Sequence, residues 1–536
     1  MKKRALVALV LVLSLLLCGC GTVNLESWFQ ELNGILDTPS AFSQMEYTRP
    51  DPDAVAQAAQ AVEQILSQQP NTQALMEQVY LFYGQYHDFY TNYALANIHY
   101  CKDLTDIYWE QEYNYCLEAS AQIDALLDGV LYALADCPLR EELENEDYFG
   151  EGFFDDYLGE SLWDAEFTGL MEQEAQLQSE YYDLCAQAGD VPYYSDAYFN
   201  TYGTQMAEIL VKLVTLRREI ARKAGYPDYL SFAYDFYYYR DYSPQQAQQL
   251  LQEIRTYLVP LYRKVVKSDV WESGNRVCTE EKTFSYVKKA AQAMGGTVWE
   301  AFSQMEALAL YDISYGENKY GASFEIFLPS YSAPYVFVNP TGTTYDKLTF
   351  AHEFGHFCND YASNGSVAGV DVAEVFSQGM EYLSLCYGEN PTELEKLKLA
   401  DGLSIYVEQA AYASFEQQLY AMEDITVEKI QALYDRVGRE YGLDAWHWDS
   451  RGFVCITHFF TAPVYIISYV VSNDTALQLY QMELETKGQG LACLEENLDT
   501  QEAGLMAFLQ SAGLESPFEE GRLEKVAQLF SEQLLK

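Results

Sequence analysis

Basic residues are scarce in this sequence. Its 536 residues hold 32 Lys plus Arg against 80 Asp plus Glu, a formal charge of −48. Between Arg140 and Lys212 there is no Lys or Arg at all. A chain so acidic repels phosphate backbones instead of releasing their counterions, which excludes nucleic acid as a partner. Apolar runs of about 20 residues, the length needed to cross a bilayer as a helix, are also missing. The one sustained run, Ala5 to Cys18, is shorter. CxxC pairs are absent too. The nine cysteines beyond Cys20 are odd in number and widely spaced, which excludes a zinc ribbon and makes a disulfide framework a poor fit. Most of them fall in apolar helical patterns, where a thiol behaves as a small hydrophobe. Histidine occurs only six times. What is abundant is core material: 49% of residues are hydrophobic and 15% aromatic, which excludes a disordered acidic tail.

The first residues read as an address. Lys2, Lys3 and Arg4 precede the apolar run, and small residues follow it, the pattern of a secretory signal over residues 1–19. The junction Leu17-Cys18-Gly19-Cys20 resembles a bacterial lipobox, with Cys20 at the position that becomes acylated. The expectation is an exported chain beginning at Cys20 and held by its lipid on the outer face of the cytoplasmic membrane. Residues 20–50 then form an acidic spacer.

Most of the remainder has helical periodicity. Asp53–Gln68, Ala74–Tyr93 and Leu104–Leu134 repeat apolar residues at three- and four-residue intervals. Pro70, Pro138, Pro192, Pro227 and Pro244 supply breaks, and Asn71 and Ser243 are suited to cap the helices that follow. The acidic, aromatic stretch 141–166, with three glycines, reads as loop or short surface helices. Period two is clear in one place: Gly321–Leu328 and Tyr335–Val338, separated by Pro329 and Pro334, predict a small hairpin or sheet. An exposed edge on Pro334–Val338 could pair with the backbone of an extended peptide. The expected organisation is an N-terminal helical region, 51–211, and a second region, 212–536, that carries the chemistry.

Just after the β element stands His352-Glu353-Phe354-Gly355-His356, an HExxH motif. On a helix, residues four apart share a face, so two imidazoles can hold one zinc ion. Glu353 can reach the open side of that ion and take a proton from water. Thr343, with Asp346 three residues on, predicts the start of the motif helix. A catalytic zinc needs a third protein ligand. Glu374, 22 residues beyond His352, is the first choice, and Asp360 and Asp371 are also near. Glu381, seven residues after Glu374 and on nearly the same face, suits a hydrogen bond to a ligand histidine. His87, His99 and His447 lie in aromatic helical surroundings and read as structural.

The blocks Thr349-Phe-Ala-His352-Glu353-Phe-Gly-His356 and Val372-Ala-Glu374-Val-Phe-Ser377-Gln resemble the oligopeptidase family of zinc metallopeptidases. That family includes thimet oligopeptidase and oligoendopeptidase F. A third block, from His458 through Pro463 and Tyr465 to Tyr469, and an earlier one, Ala224-Gly-Tyr-Pro-Asp-Tyr229, resemble oligoendopeptidase F segments. The short interval from His356 to Glu374 favours that branch over the thimet one, and the Gly-rich loop that the thimet branch carries near its catalytic Tyr is missing around Tyr465. Val-Val-Ser after Tyr469 departs from the glycine common in oligoendopeptidase F.

The resemblance implies a mainly α, two-lobed metallopeptidase with a deep central cleft and a small β element before the zinc-binding helix. It implies one Zn2+ per chain, held by His352, His356 and Glu374, with Glu353 as the general base toward zinc-bound water. His458, Tyr465 and Tyr469 become the donors that stabilise the tetrahedral intermediate. The expected activity is endopeptidase cleavage of short, unstructured oligopeptides by a monomer. The rival reading is a surface lipoprotein that binds peptides without cutting them; an intact general base beside a zinc set argues against it.

Overall fold

Caps and breaks decide where the helices begin. The computed structural model describes residues 40–145, 148–159, 162–188, 191–365, 369–389, 391–445, 448–500 and 504–535. The expected signal, the lipidation residue Cys20, most of the spacer and His447 lie outside the described residues. Pro52–Ser67 starts from Asp51, and Thr72–Lys102 starts from Asn71, whose side chain accepts from the Ala74 N–H at 2.9 Å. Ile107–Ala135 starts from Asp106. Ser243 closes a capping box with Gln246 at the head of Pro244–Tyr257. The second helix runs past its expected bounds at both ends, whereas the third starts three residues later than expected, after the Asp106 cap, and ends one residue later, at Ala135.

These first helices enclose a small core running from Val55 to Phe154. The end of the expected spacer is part of this packing: the Arg49 Nε donates to Glu112 at 2.8 Å, and the Thr48 N–H donates to Asn92 at 2.7 Å. A much larger core takes in the rest of the chain, beginning with Met45 and Ala94 and including the long acidic helix Ala165–Gln187. In the latter, Tyr181 stacks on Phe460 at 3.8 Å between ring centroids. The structure is 70% helix and 3% strand, a mainly α protein. No described helix is long and apolar enough to cross a membrane. The nine described cysteines are all free, six of them buried.

Three strands form one sheet: β1 (Tyr311–Asp312), β2 (Phe324–Leu328) and β3 (Ala333–Phe337), in the order β1-β3-β2. The hairpin β2–β3 is antiparallel as the sequence predicts, with Ile326 opposite Tyr335. The expected exposed edge on Pro334–Val338 is not there. β3 is the central strand, buried along its length, because β1 pairs with it in parallel on the other side. The outer strands are β1 and β2.

The helix carrying the motif, Asp346–Ser363, lies against β2 and β3. Its start differs from expectation. Tyr345 is the capping position and makes no side-chain cap, and Thr343 precedes it. Asp346 instead folds its carboxylate back over the incoming loop, accepting from the N–H groups of Thr341, Gly342 and Thr343 at 2.8–2.9 Å. A carboxylate in the first turn also suits the helix dipole.

Candidate metal centre

One helical turn places His352 and His356 on the same face of the motif helix, their rings 5.0 Å apart and nearly perpendicular. The second helix, Val370–Tyr387, packs tightly across it. Gly355 makes that approach possible. A Cβ at this position would stand 2.5 Å from the Phe376 carbonyl oxygen and 2.6 Å from the Ser377 Cα, both backbone atoms. Across this contact Glu374 reaches the histidine pair. Its Oε2 lies 3.5 Å from His352 Nε2 and 3.9 Å from His356 Nε2. Ligand atoms bound about 2 Å from a tetrahedral ion stand roughly 3.3 Å from one another. The three donors, all within 4.8 Å of one another, therefore fit zinc in both chemistry and spacing. Three protein ligands also leave a position open, as a catalytic site requires.

The other acidic candidates are occupied elsewhere. Asp371 receives Arg240 and the Tyr242 hydroxyl, the latter at 2.8 Å. Asp360 is half-buried against Glu325, and burial raises its carboxyl above the ordinary range.

Around the donors, hydrogen bonds fix orientation. The His352 Nδ1–H donates to Glu381 Oε1 at 2.9 Å, which leaves Nε2 as the lone-pair donor facing Glu374. Burial alone would raise the Glu381 carboxyl, but Lys398 and the His352 hydrogen bond outweigh it and hold it below its ordinary range. Lys398 is fully buried, with Nζ 2.8 Å from Glu381 Oε2 and 3.2 Å from Asp401. No motif announced this residue; the only cue is a lysine inside the apolar face of a helix. Replacing it by methionine keeps the volume and leaves Glu381 without its counter-charge, so Lys398→Met is expected to weaken zinc binding about tenfold. Chelator competition reads this directly, and an unchanged affinity would remove Lys398 from the site's support.

Glu353 is buried with its carboxyl raised to about 7, chiefly by burial, then by Glu374 and Glu381 against the opposing pull of His352. A base near neutrality is well matched to proton transfer at neutral pH. Glu374 is likewise raised by burial, while its oxygens accept from Tyr465 Oη at 2.9 Å and Ser377 Oγ at 3.0 Å. The third block thus comes to the metal site, with one difference from expectation. The Tyr465 hydroxyl is given to the Glu374 carboxylate. Tyr469 Oη and His458 Nε2 stand 3.4 Å apart, and the Tyr465 and Tyr469 rings are 5.3 Å apart at their centroids. Burial lowers His458 to about 4, so its imidazole is neutral at pH 7. His87 and His99 sit far from this cluster in sequence and packing: His99 stacks on Trp109 at 4.2 Å, and burial lowers both to about 4.

Residues 42–157 match the Peptidase M3 N-terminal domain. A structure designated oligoendopeptidase F superposes with a TM-score of 0.81 at 21% identity, over 93% of this chain and 99% of that one. PZ peptidase A, solved with an inhibitor, gives 0.81 at 20% identity over 92% and 99%. An oligoendopeptidase F from Bacillus anthracis gives 0.79 at 19% over 93% and 99%. No curated protein sequence is similar enough to count as a relative. The chain thus shares the fold of these oligoendopeptidase F and PZ peptidase A structures, and its N-terminal part matches the Peptidase M3 N-terminal domain.

Proposed function

We propose that this protein is a zinc-dependent endopeptidase acting on short, unstructured oligopeptides, exported and anchored through a lipid on Cys20. The observation that carries the reading is the meeting of His352, His356 and Glu374 at zinc-ligand spacing beside a buried Glu353. Zinc held there supplies Lewis acidity toward the scissile carbonyl and toward water. Glu353 accepts a proton from the attacking water as the new C–O bond forms, and returns it to the amine nitrogen as the C–N bond breaks. His458 and Tyr469 stand as the hydrogen-bond donors for the oxyanion, a role worth about 3–4 kcal/mol per donor in other enzymes. Tyr465 orients Glu374 in the resting site and is near enough to Tyr469 to join it. The anchor rests on the lipobox-like sequence alone; a cleaved, acylated N-terminus at Cys20, read by mass spectrometry of the membrane fraction, tests it.

The test of the activity is metal removal. The enzyme is expected to hold about one zinc per chain and to cleave a quenched fluorescent peptide. Stripping the ion should abolish turnover, and one equivalent of zinc should restore it. A chain that binds the peptide equally with and without zinc, and never cuts it, is the peptide-binding lipoprotein instead.

A further inference from the structure

The segment from Phe459 to Tyr465 is buried, and between the single turn His458–Thr461 and the helix that starts at Ile467 the chain has no regular structure. Buried carbonyls in such a stretch need donors from elsewhere. They come from two arginines and a tyrosine outside every recognised motif. Arg217, wholly buried on the helix Thr204–Lys223, donates Nη1 to the Phe459 carbonyl at 2.8 Å and Nη2 to that of Phe460. Glu174 accepts from its Nε at 2.7 Å. Arg240 donates Nη1 to the Val464 carbonyl at 3.0 Å and Nη2 to Ser468 Oγ at 2.8 Å, with the Tyr465 carbonyl at 3.4 Å. The Tyr238 hydroxyl donates to the Pro463 carbonyl at 2.7 Å.

Within this stretch Val464 has φ +69°. For a β-branched residue the left-handed region is strained, and such strain persists only where the surroundings over-determine it. Here they do. Arg240 holds the Val464 carbonyl, and Glu416 Oε1 accepts from the Val464 N–H at 2.7 Å. The next residue is Tyr465, whose hydroxyl meets Glu374. Arg240 also reaches Asp371, three residues before Glu374 on the same helix, with Nε 3.3 Å from Oδ2. One guanidinium therefore engages the backbone at Val464 on one side of the Tyr465–Glu374 hydrogen bond and the Asp371 side chain on the other.

We propose that Arg240 and Glu416 are positioning residues that hold Val464 in its strained conformation and thereby deliver Tyr465 to the metal ligand Glu374. This rests on the zinc peptidase reading above. Glu416 serves as an acceptor and not as a charge: its Oε2 has no hydrogen-bond partner, and burial raises its carboxyl to about 8.

A double-mutant cycle on the full chain tests the proposal. Glu416→Met, which removes the acceptor at similar size, is made in the wild type and in Tyr465→Phe. Zinc affinity is read by chelator competition, with kcat and KM measured alongside. Glu416→Met is expected to lower both zinc affinity and kcat about tenfold with KM within about twofold, and to add nothing in the Tyr465→Phe background. Glu416→Gln, which keeps an oxygen acceptor, is expected to match the wild type. Losses that add fully across the cycle, wild-type zinc affinity in Glu416→Met, or a Gln variant as damaged as the Met variant would each overturn the proposal. Should Glu416→Met lose its fold, Arg240→Lys decides. It keeps the charge beside Asp371 but not the fork of donors, and it is expected to show the same non-additive loss; an unchanged site overturns the assignment. A wild type that binds zinc but cleaves no peptide overturns the proposed activity alone, since the zinc-affinity cycle still reports on the clamp.

Discussion

Glu353→Gln is expected to keep one zinc per chain and the wild-type fold while lowering kcat by about 10²–10⁴-fold. Glutamine matches glutamate in shape and can still accept a hydrogen bond, but it cannot take up a proton. Glu353 is not among the three donors gathered for the ion, and its buried carboxyl, raised to about 7, is poised for the transfer. A group that acts only as water attacks should change kcat and kcat/KM together and leave KM almost untouched. Zinc content, peptide cleavage and a thermal melt on the same preparation are sufficient. Undiminished turnover would remove Glu353 as the base, and loss of zinc together with activity would make it a ligand or a structural group.

The second large effect is expected from the smallest change. Gly355→Ala adds one methyl group where a Cβ would stand 2.5 Å from the Phe376 carbonyl oxygen. Neither contacting atom is the end of a flexible side chain, so the two helices must separate. Overpacking of this kind costs about 1–3 kcal/mol of stability. The consequence for the site is larger. The histidines ride on one helix and Glu374 on the other, and their donor atoms are already only 3.5–3.9 Å apart. Zinc affinity is expected to fall about 100-fold, the upper end of what the loss of supporting structure costs a metal site. Chelator competition and thermal melting measure the two effects separately. An unchanged zinc affinity would show that the helix crossing does not set the position of Glu374.

These expectations rest on different kinds of information in the chain. The histidine pair and Glu353 were legible because the helical repeat is local: residues four apart share a face whatever surrounds them. Caps at Asn71 and Ser243 were legible for the same reason, since a side chain reaches the N–H groups two and three residues on. Glu381 was legible at one remove, through its spacing from Glu374 on the same helix. The central place of β3 was not, because the two-residue strand β1 that covers its other edge carries too little pattern to announce itself.

By itself the sequence determined an acidic, mainly helical chain with an HExxH helix and the residue types of a zinc site. Only the tertiary structure showed which carboxylate comes within reach of the two histidines. Glu374 does so, and Asp360 and Asp371 do not, because a glycine lets two helices cross closely there, while Glu325 and Arg240 engage the other two. The tertiary structure also revealed Lys398, Arg217, Arg240 and Glu416 behind the site. Apart from Asp401, three residues from Lys398, the partners named for them lie from 17 to more than 200 residues away in the chain, and no local pattern encodes a pairing made only when the backbone folds.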